Sequence, residues 1–353
     1  MMTLLILFGL LIIFYALAEI CDKYFVESLE MITERLKISP DVAGATFMAV
    51  GSSAPEFFTA VIALSKVGAE SIGAGTIVGS AIFNILVIVG ASAVVSTAFL
   101  SWKPVVRDIG FYILSLLVLL FTFSDGVITL SETFWYIGLY LIYLIVLKYW
   151  NRWVPHQAVE KKTLPQKKSS FTLNKPRLLR VLDQFISFFF PNLKKNPQRF
   201  GITFVVSVLL IAVLSWFMVE LAVHLAQVWN ISQAIIALTV LAAGTSVPDL
   251  LSSIFASKRG SGDMAISNAV GSNTFDILIG LGLPWCVYTW WKGSPVTVGT
   301  ESLMSSMILL FATVIVLFFL IIAQQYQLRK SAGWTLILLY VAYLIFTVFQ
   351  VLS

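Results

Sequence analysis

Residues 51–56 read Gly-Ser-Ser-Ala-Pro-Glu, and residues 244–249 read Gly-Thr-Ser-Val-Pro-Asp. A second pair of matching segments begins 23 and 22 residues after these acids, with Gly-Ser-Ala-Ile-Phe-Asn at 79–84 and Gly-Ser-Asn-Thr-Phe-Asp at 271–276. All four segments lie in long apolar stretches, where an ionised carboxyl group is costly and a proline disturbs the helix. The same costly combination in two matching places indicates an ion site built from two halves of a duplicated membrane transporter.

The composition predicts a protein embedded in lipid. Hydrophobic residues make up 59% of the 353 residues, charged residues make up 12%, and the mean hydropathy is +0.92. A soluble domain cannot bury so much apolar surface, so we expect an all-α polytopic membrane protein. Ten apolar runs are each long enough to cross a hydrocarbon core of about 30 Å, and they predict ten transmembrane helices. The runs lie at about 3–22, 40–65, 74–99, 105–123, 127–149, 201–227, 232–257, 264–290, 299–323 and 334–352.

The only long polar connection between these runs is residues 150–200, which is rich in Lys, Arg and Pro. It separates a first five-helix half at 1–149 from a second at 201–353, and each half carries one copy of the motifs. Because five is an odd number, the second half starts on the opposite side of the membrane, so we predict two inverted repeats. The loop is either a plain linker or a contact for anionic lipid head groups. Residues 182–190 are predicted to lie on the membrane surface.

The basic residues are distributed unevenly along the chain. With the N-terminus outside, 21 of the 23 Lys and Arg residues fall in cytoplasmic segments, and only Lys66 and Lys292 fall outside. The positive-inside rule therefore predicts that both termini are outside and that the central loop is cytoplasmic. This asymmetry accounts for the net charge of +5, so no nucleic-acid partner is predicted.

The two copies of the motifs align position by position. An offset of 193 relates the first motifs, and an offset of 192 relates the second motifs. Chance similarity between apolar helices would not align glycine, serine, proline and acidic residues together. The matched pairs are Gly51 with Gly244, Ser53 with Ser246, Pro55 with Pro248, Glu56 with Asp249, Ser80 with Ser272, and Asn84 with Asp276.

These residue types predict oxygen ligands for a hard cation. Each proline lacks an N–H, so we expect freed carbonyls near residues 51–52 and 244–245. Carbonyls, hydroxyls and carboxylates together suit cations such as Ca²⁺ and Na⁺, and no His or Cys is placed to favour zinc or copper. A proline alone is usually a kink and an asparagine alone is usually an interhelical hydrogen bond, but their combination in both halves favours an ion site. Asp108, Asp125 and Glu132 are predicted to be loop or interface charges.

The two segments at about 38–95 and 231–285 resemble the alpha repeats of the calcium/cation antiporter superfamily. Within it, Ser-Ala-Pro-Glu with Val-Gly-Ser-Ala-Ile-Phe-Asn-Ile is similar to the potassium-dependent sodium/calcium exchanger branch, and so is Gly-Thr-Ser-Val-Pro-Asp-Leu with Val-Gly-Ser-Asn-Thr-Phe-Asp-Ile. The halves differ at Ala81, where the second repeat has Asn273, and this difference fits the same branch.

The resemblance implies a set of ion ligands in this chain. Glu56 and Asp249 would be the main Ca²⁺ carboxylates, also used by Na⁺, and an acid at the position of Asp276 is associated with K⁺ co-transport. Three ionised carboxylates would be balanced by Ca²⁺ with one K⁺, or by Ca²⁺ with a proton on Asp276. The other implied ligands are the side chains of Ser52, Ser53, Ser80, Asn84, Thr245, Ser246 and Ser272 and the carbonyls of Ala49 and Ala242.

The implied function is antiport of Na⁺ against Ca²⁺ with K⁺ co-transport, by alternating access around a carboxylate site at the membrane midplane. No resident cofactor is predicted, and no constellation of residues predicts an enzyme. Two alternatives use the same acids, namely Ca²⁺/H⁺ exchange and Na⁺/Ca²⁺ exchange without K⁺. A cation channel is less favoured, because channels tend to form rings from several subunits, whereas this chain builds a two-fold site internally.

Overall fold

The computed structural model describes residues 2–35, 49–66, 69–100, 102–154, 176–191, 197–258, 262–298 and 301–352. These residues are almost all helical, and eight of their helices are long and apolar enough to cross a membrane. Two shorter apolar helices lie at Ala54–Ser65 and Gln233–Val247. The prediction of a helical, multi-pass membrane protein is therefore confirmed, while the predicted number of ten spans is not.

The helices are numbered here in chain order. The first half contains α1 (Met2–Ile20), α2 (Val26–Arg35), α3 (Ala49–Ser52), α4 (Ala54–Ser65), α5 (Glu70–Phe83), α6 (Val89–Val95), α7 (Trp102–Thr122) and α8 (Leu130–Trp153). The central segment contributes α9 (Arg177–Phe188) and a 3₁₀ turn (Pro197–Arg199). The second half contains α10 (Phe200–Trp229), α11 (Gln233–Ile236), α12 (Ala242–Lys258), α13 (Gly262–Phe275), α14 (Gly282–Lys292), α15 (Glu301–Ala323) and α16 (Lys330–Leu352).

Several helices continue through a π-helical turn instead of ending. The four turns are Cys21–Phe25, Asn84–Ile88, Ala237–Leu241 and Asp276–Leu281. Two of them begin at the last residue of the second motif in each half, Asn84 and Asp276. A π turn widens the helix locally and is common at functional sites, because it redirects the side chains around it.

Two short antiparallel ladders connect the halves. Ala98–Phe99 (β1) pairs with Gln327–Leu328 (β4), and Val127–Ile128 (β2) pairs with Val296–Thr297 (β3). Each ladder takes one strand from the first half and one from the second. The backbone hydrogen bonds therefore hold the two halves together at two separate points.

The helix at the centre of the fold is α5. Every residue from Ile72 to Phe83 is buried, which is possible because this stretch has no charged side chain. Gly79 lets α5 approach the turn at Ala237–Leu241 very closely. An added Cβ at Gly79 would lie 2.4 Å from the Leu238 carbonyl oxygen and 2.7 Å from the Cβ of Ala242. Small residues at such contacts are how membrane helices bring their backbones together.

The core consists of two hydrophobic clusters. One joins α5, α7 and α8 with α13 to α16, and the other joins α1, α4, α9 and α10 with the turn at Ala237–Leu241. Each of the two clusters contains apolar residues of the ion motifs. The motifs therefore lie between two packed groups of helices.

The acidic residues outside the motifs have two different roles. Glu132 caps α8, since its carboxylate accepts a hydrogen bond of 2.7 Å from the backbone N–H of Thr129. This position agrees with the prediction of a loop charge. Asp108 does not fit its prediction as a loop or interface charge, because it is 6% exposed inside α7. The neighbouring Arg107 makes this burial possible, as its Nε and Nη2 donate to the two Asp108 oxygens at 2.7 and 3.1 Å.

Candidate ion-binding site

Glu56 lies in the first turn of α4, directly after the helix is interrupted at Ser53. Pro55 also occupies this first turn, where its missing N–H leaves no helical hydrogen bond unmade. The positive end of the helix dipole favours a negative group at this position. The Glu56 side chain is buried, so the local sequence holds one carboxylate in the interior of the fold.

Asp249 occupies the matching position in the second half, but its helix is built differently. Helix α12 runs from Ala242 to Lys258 through Pro248 without an interruption. The second half also has a distortion earlier in the same span, in the π turn at Ala237–Leu241. Pro248 still offers no N–H to the carbonyl of Gly244, four residues earlier. Unlike Glu56, Asp249 is partly exposed.

The carboxylates lie beside hydroxyl-bearing residues from the opposite half of the chain. Thr245 is next to the Glu56 carboxylate, and Ser53 is next to the Asp276 carboxylate. Each acid therefore adjoins a residue of the other repeat. The two halves form one site rather than two separate ones.

The serines of the motifs follow the same pattern. The hydroxyl oxygens of Ser52 and Ser272 lie 3.2 Å apart, and they again join the two halves. The Ser80 hydroxyl is buried and donates to the Ile77 carbonyl at 3.1 Å, which leaves its oxygen lone pairs available. Ser246 is also buried.

The two predicted backbone ligands lie at matching positions. Ala49 is the first described residue of α3, and Ala242 follows the π turn at Ala237–Leu241 as the first residue of α12. The Ala242 side chain is fully buried beneath α5, at its contact with Gly79.

An amide pair closes the centre of the site. Asn84 Nδ2 donates to Asn273 Oδ1 at 2.8 Å, and Asn273 Nδ2 lies 3.1 Å from the Ala81 carbonyl and 3.0 Å from the Tyr112 hydroxyl. Asn273 and Tyr112 were not among the predicted ligands. The difference between Ala81 and Asn273 in the aligned repeats is the sequence feature that could have indicated Asn273. No motif indicates Tyr112.

Three buried acceptor oxygens in this region have no hydrogen-bond donor among the described residues. They are Glu56 Oε2, Asn84 Oδ1 and Asp276 Oδ1. A buried polar atom without a partner costs about 1–3 kcal/mol, and more when it is charged. With both carboxyl groups ionised, all three atoms are acceptors, and a cation is a partner that satisfies all of them. The oxygen-only chemistry suits Ca²⁺, Na⁺ or K⁺ better than a transition metal.

The acids alone do not form a closed metal cage. Among the residues that the structure describes, no three His, Cys, Asp or Glu side chains converge closely enough to hold a metal ion. A bound cation would therefore need hydroxyl, amide and carbonyl oxygens beside the carboxylates. Such a mixed shell is normal for Ca²⁺, which takes six to eight oxygen ligands.

A polytopic helical fold with a buried, oxygen-lined site shared by two related halves defines a membrane protein of the cation-transporter class. The family described as "Sodium/calcium exchanger protein" matches residues 6–149 and 200–349, and the chain belongs to this family. The matched regions correspond to the two halves on either side of the central segment.

The chain is similar to curated relatives over almost its whole length. It is 29% identical to "Sodium/potassium/calcium exchanger 1" of Gallus gallus, over 97% of this chain and 78% of the relative. It is 30% identical to "Sodium/potassium/calcium exchanger 2" of Mus musculus, over 96% of this chain and 77% of the relative. The resemblance to the calcium/cation antiporter superfamily and its potassium-dependent branch is confirmed.

Solved structures share the fold. The sodium-calcium exchanger NCX_Mj is 22% identical with a TM-score of 0.57, and the alignment covers 98% of both chains. The H⁺/Ca²⁺ exchanger CAX is 13% identical with a TM-score of 0.68, over 98% of this chain and 81% of that one. At these identities the likeness concerns the fold and not the choice of ions.

Proposed function

We propose that this protein is an antiporter that exchanges Na⁺ for Ca²⁺, with K⁺ carried together with Ca²⁺, by alternating access around Glu56, Asp249 and Asp276. The observation that carries the proposal is the set of buried acceptor oxygens without donors on Glu56, Asn84 and Asp276. Membership of the sodium/calcium exchanger family supports Na⁺ and Ca²⁺ as the ions.

The proposed role of K⁺ rests on Asp276 and on the relatives. Both curated relatives named above are called sodium/potassium/calcium exchangers. Asp276 is a buried carboxylate at the position that corresponds to the neutral Asn84 in the first half. The second half therefore supplies one extra negative charge. A monovalent cation beside Ca²⁺ would balance that charge, and bound cations dominate the electrostatics of such sites.

Exchange follows from the sharing of ligands. The carboxylates that would hold Ca²⁺ would also hold Na⁺, so the two ions compete and cannot both be bound in full. Because Thr245 lies beside Glu56 and Ser53 lies beside Asp276, the site is assembled from both halves. A movement of one half against the other would open the site to one side and then to the other.

The proposed architecture has ten transmembrane helices in two inverted five-helix halves, at 1–149 and 201–353. The eight long apolar helices and the two short ones at Ala54–Ser65 and Gln233–Val247 supply that number. The reciprocal contacts between halves and the two cross-half ladders support the repeat. The uneven distribution of Lys and Arg supports external termini and a cytoplasmic loop at 150–200.

Ca²⁺ flux into proteoliposomes, with Na⁺, K⁺ and H⁺ gradients varied separately, tests this function. We expect a Na⁺ gradient to drive Ca²⁺ uptake, and Glu56→Gln or Asp249→Asn to remove most of it. Asp125→Asn is the control, because Asp125 is an exposed acid in the turn before α8. Uptake near the wild-type rate in either site variant would overturn the site.

The same assay separates the alternatives. Uptake driven by a pH gradient after Na⁺ is replaced by choline would assign Ca²⁺/H⁺ exchange instead. Single-channel currents through the reconstituted protein would assign a channel.

A further inference from the structure

Helix α9 (Arg177–Phe188), which lies in the central segment outside the ion site, presents three different faces. At 100° per residue its side chains fall into one face toward the protein, one apolar exposed face and one polar exposed face. An ordinary surface helix needs only two such faces. The exposed apolar face therefore requires an explanation.

The first face fastens α9 to α1 and to the π turn that follows α1. The Tyr15 hydroxyl donates a hydrogen bond of 2.6 Å to Asp183 Oδ1, and Ile186 is buried. Just after the helix, the Phe190 ring stacks on Tyr24 with centroids 3.8 Å apart and planes 9° apart. Helix α9 thus lies along a membrane-spanning helix, from the level of Tyr15 to that of Tyr24.

The second face is an apolar stripe. Its five side chains are 43–85% exposed, and Phe188 is the most exposed of them. Single exposed apolar residues are common, but a continuous stripe with three phenylalanines marks a surface that is covered by something. The apolar stripe consists of Leu178, Val181, Phe185, Phe188 and Phe189.

The third face carries the polar residues. Arg177, Arg180, Gln184 and Ser187 are all exposed. Arg177 lies only about 20° around the helix from Phe188, so its charge is at the border of the apolar stripe. An apolar stripe bordered by arginine, with a polar face beside it, is the pattern of a helix that lies in the plane of a membrane interface.

We propose that α9 is an interfacial helix whose apolar stripe enters the lipid leaflet beside α1 and whose arginines bind anionic head groups. Two observations favour lipid over a protein partner. The stripe is next to a membrane-spanning helix, so it lies where the leaflet surrounds the protein. The charge also fits, because the segment 150–200 has eleven Lys and Arg residues and only two acids, and an anionic surface attracts such segments.

The contact has a direct route to the ion site. Phe14, the neighbour of Tyr15 on α1, packs on Gly244 of the second motif so tightly that an added Cβ there would lie 2.2 Å from the Phe14 ring. One helix therefore connects the Tyr15–Asp183 hydrogen bond with the backbone before Asp249. We infer that anionic lipid under α9 changes the transport rate through α1.

Fluorescence quenching tests the lipid contact without reference to transport. In a background with Cys21 and Cys286 replaced by Ala, a single cysteine replaces either Phe188 or its neighbour Ser187 and carries an environment-sensitive dye. The protein is reconstituted into phosphatidylcholine with brominated acyl chains, with and without phosphatidylglycerol. Adjacent residues point about 100° apart, so Ser187→Cys is the matched control.

We expect several-fold stronger quenching and a blue-shifted emission for the dye at 188 compared with the dye at 187, and a further increase with phosphatidylglycerol. Equal quenching at both positions would overturn the interfacial helix. Quenching at 188 that does not respond to phosphatidylglycerol would overturn the anionic part. Efficient cross-linking of Phe188→Cys between two copies, without quenching, would assign the stripe to a dimer instead.

The effect on transport rests on the proposed exchange and has its own readout. We expect phosphatidylglycerol to change Na⁺-driven Ca²⁺ uptake by the wild type. Tyr15→Phe removes the hydrogen bond to Asp183, so uptake should continue but no longer respond to the lipid. A Tyr15→Phe variant with the full lipid response would overturn the route through α1. Absence of uptake in every variant would instead count against the proposed function, while the quenching result would stand.

Discussion

Gly79→Ala tests whether the close approach of α5 to the second half sets the geometry of the ion site. The new methyl carbon would lie 2.4 Å from the Leu238 carbonyl oxygen and 2.7 Å from the Ala242 Cβ. Favourable non-bonded contacts lie at about 3.5–4.0 Å, so the helices must separate by about 1 Å. Neither neighbour is a flexible side chain that could turn away.

The size of the effect follows from two opposing terms. Overpacking costs about 1–3 kcal/mol, and the upper end applies because a backbone carbonyl must move. Replacing glycine by alanine in a helix returns about 1 kcal/mol. The net loss of stability is about 2 kcal/mol. Ser80 and Asn84 follow Gly79 in the chain, so they move relative to Thr245. The ligands from the two halves then no longer converge on one site.

Two measurements check this prediction. Thermal unfolding of the purified protein in detergent should occur at a lower temperature, and Na⁺-driven Ca²⁺ uptake should fall about tenfold, which corresponds to about 1.4 kcal/mol. The control is Gly110→Ala in α7, where no described atom lies within 4 Å of the added Cβ. We expect that variant to be as stable as the wild type or more so. A Gly79→Ala protein with normal stability and normal uptake would refute the reasoning.

Three further predictions concern charge and topology. Asp276→Asn should leave Na⁺/Ca²⁺ exchange active but independent of K⁺, as measured by Ca²⁺ uptake with K⁺ replaced by choline. Wild-type uptake that is unchanged by this replacement would contradict the role of Asp276. Asp108→Ala should destabilise the protein by about 3 kcal/mol because it leaves Arg107, whose side chain is only 14% exposed, without its partner, whereas Asp108→Asn keeps a hydrogen-bond acceptor and should lose less in the same unfolding assay. A cysteine at Ser170, in a background without other cysteines, should react with an impermeant reagent only after cells are opened, and strong labelling of intact cells would reverse the predicted orientation.

The site residues were visible in the sequence because they are costly where they lie. Glu56, Asp249 and Asp276 are acids in apolar segments, and insertion of an acid into a membrane is favourable only when a partner compensates for it. Repetition of Gly, Ser, Pro and acid at matching spacings made a structural coincidence improbable. Family membership has confirmed the resemblance that these motifs carry, while the ion site and the roles of its ligands stay predictions.

Other features could not be predicted because they depend on the contact between the halves. Asn273 and Tyr112 are 161 residues apart, and only the packing of α13 against α7 brings their side chains to 3.0 Å. The burial of Asp108 could not be predicted for a similar reason. A carboxylate followed by apolar residues is compatible with an interface or with an interior, and its surroundings decide between them.

The sequence by itself determined the membrane class, the duplication and the residue types of the ion site, since hydrophobic run length, motif spacing and the cost of buried charge are local properties of the chain. The tertiary structure decided which residues share the site. It placed Thr245 beside Glu56 and Ser53 beside Asp276, and it interrupted the helix before Glu56 but not before Asp249. The physical reason is that the two copies of a motif do not have the same neighbours. Each copy contacts the other half of the chain, and the two halves differ in sequence around the motifs.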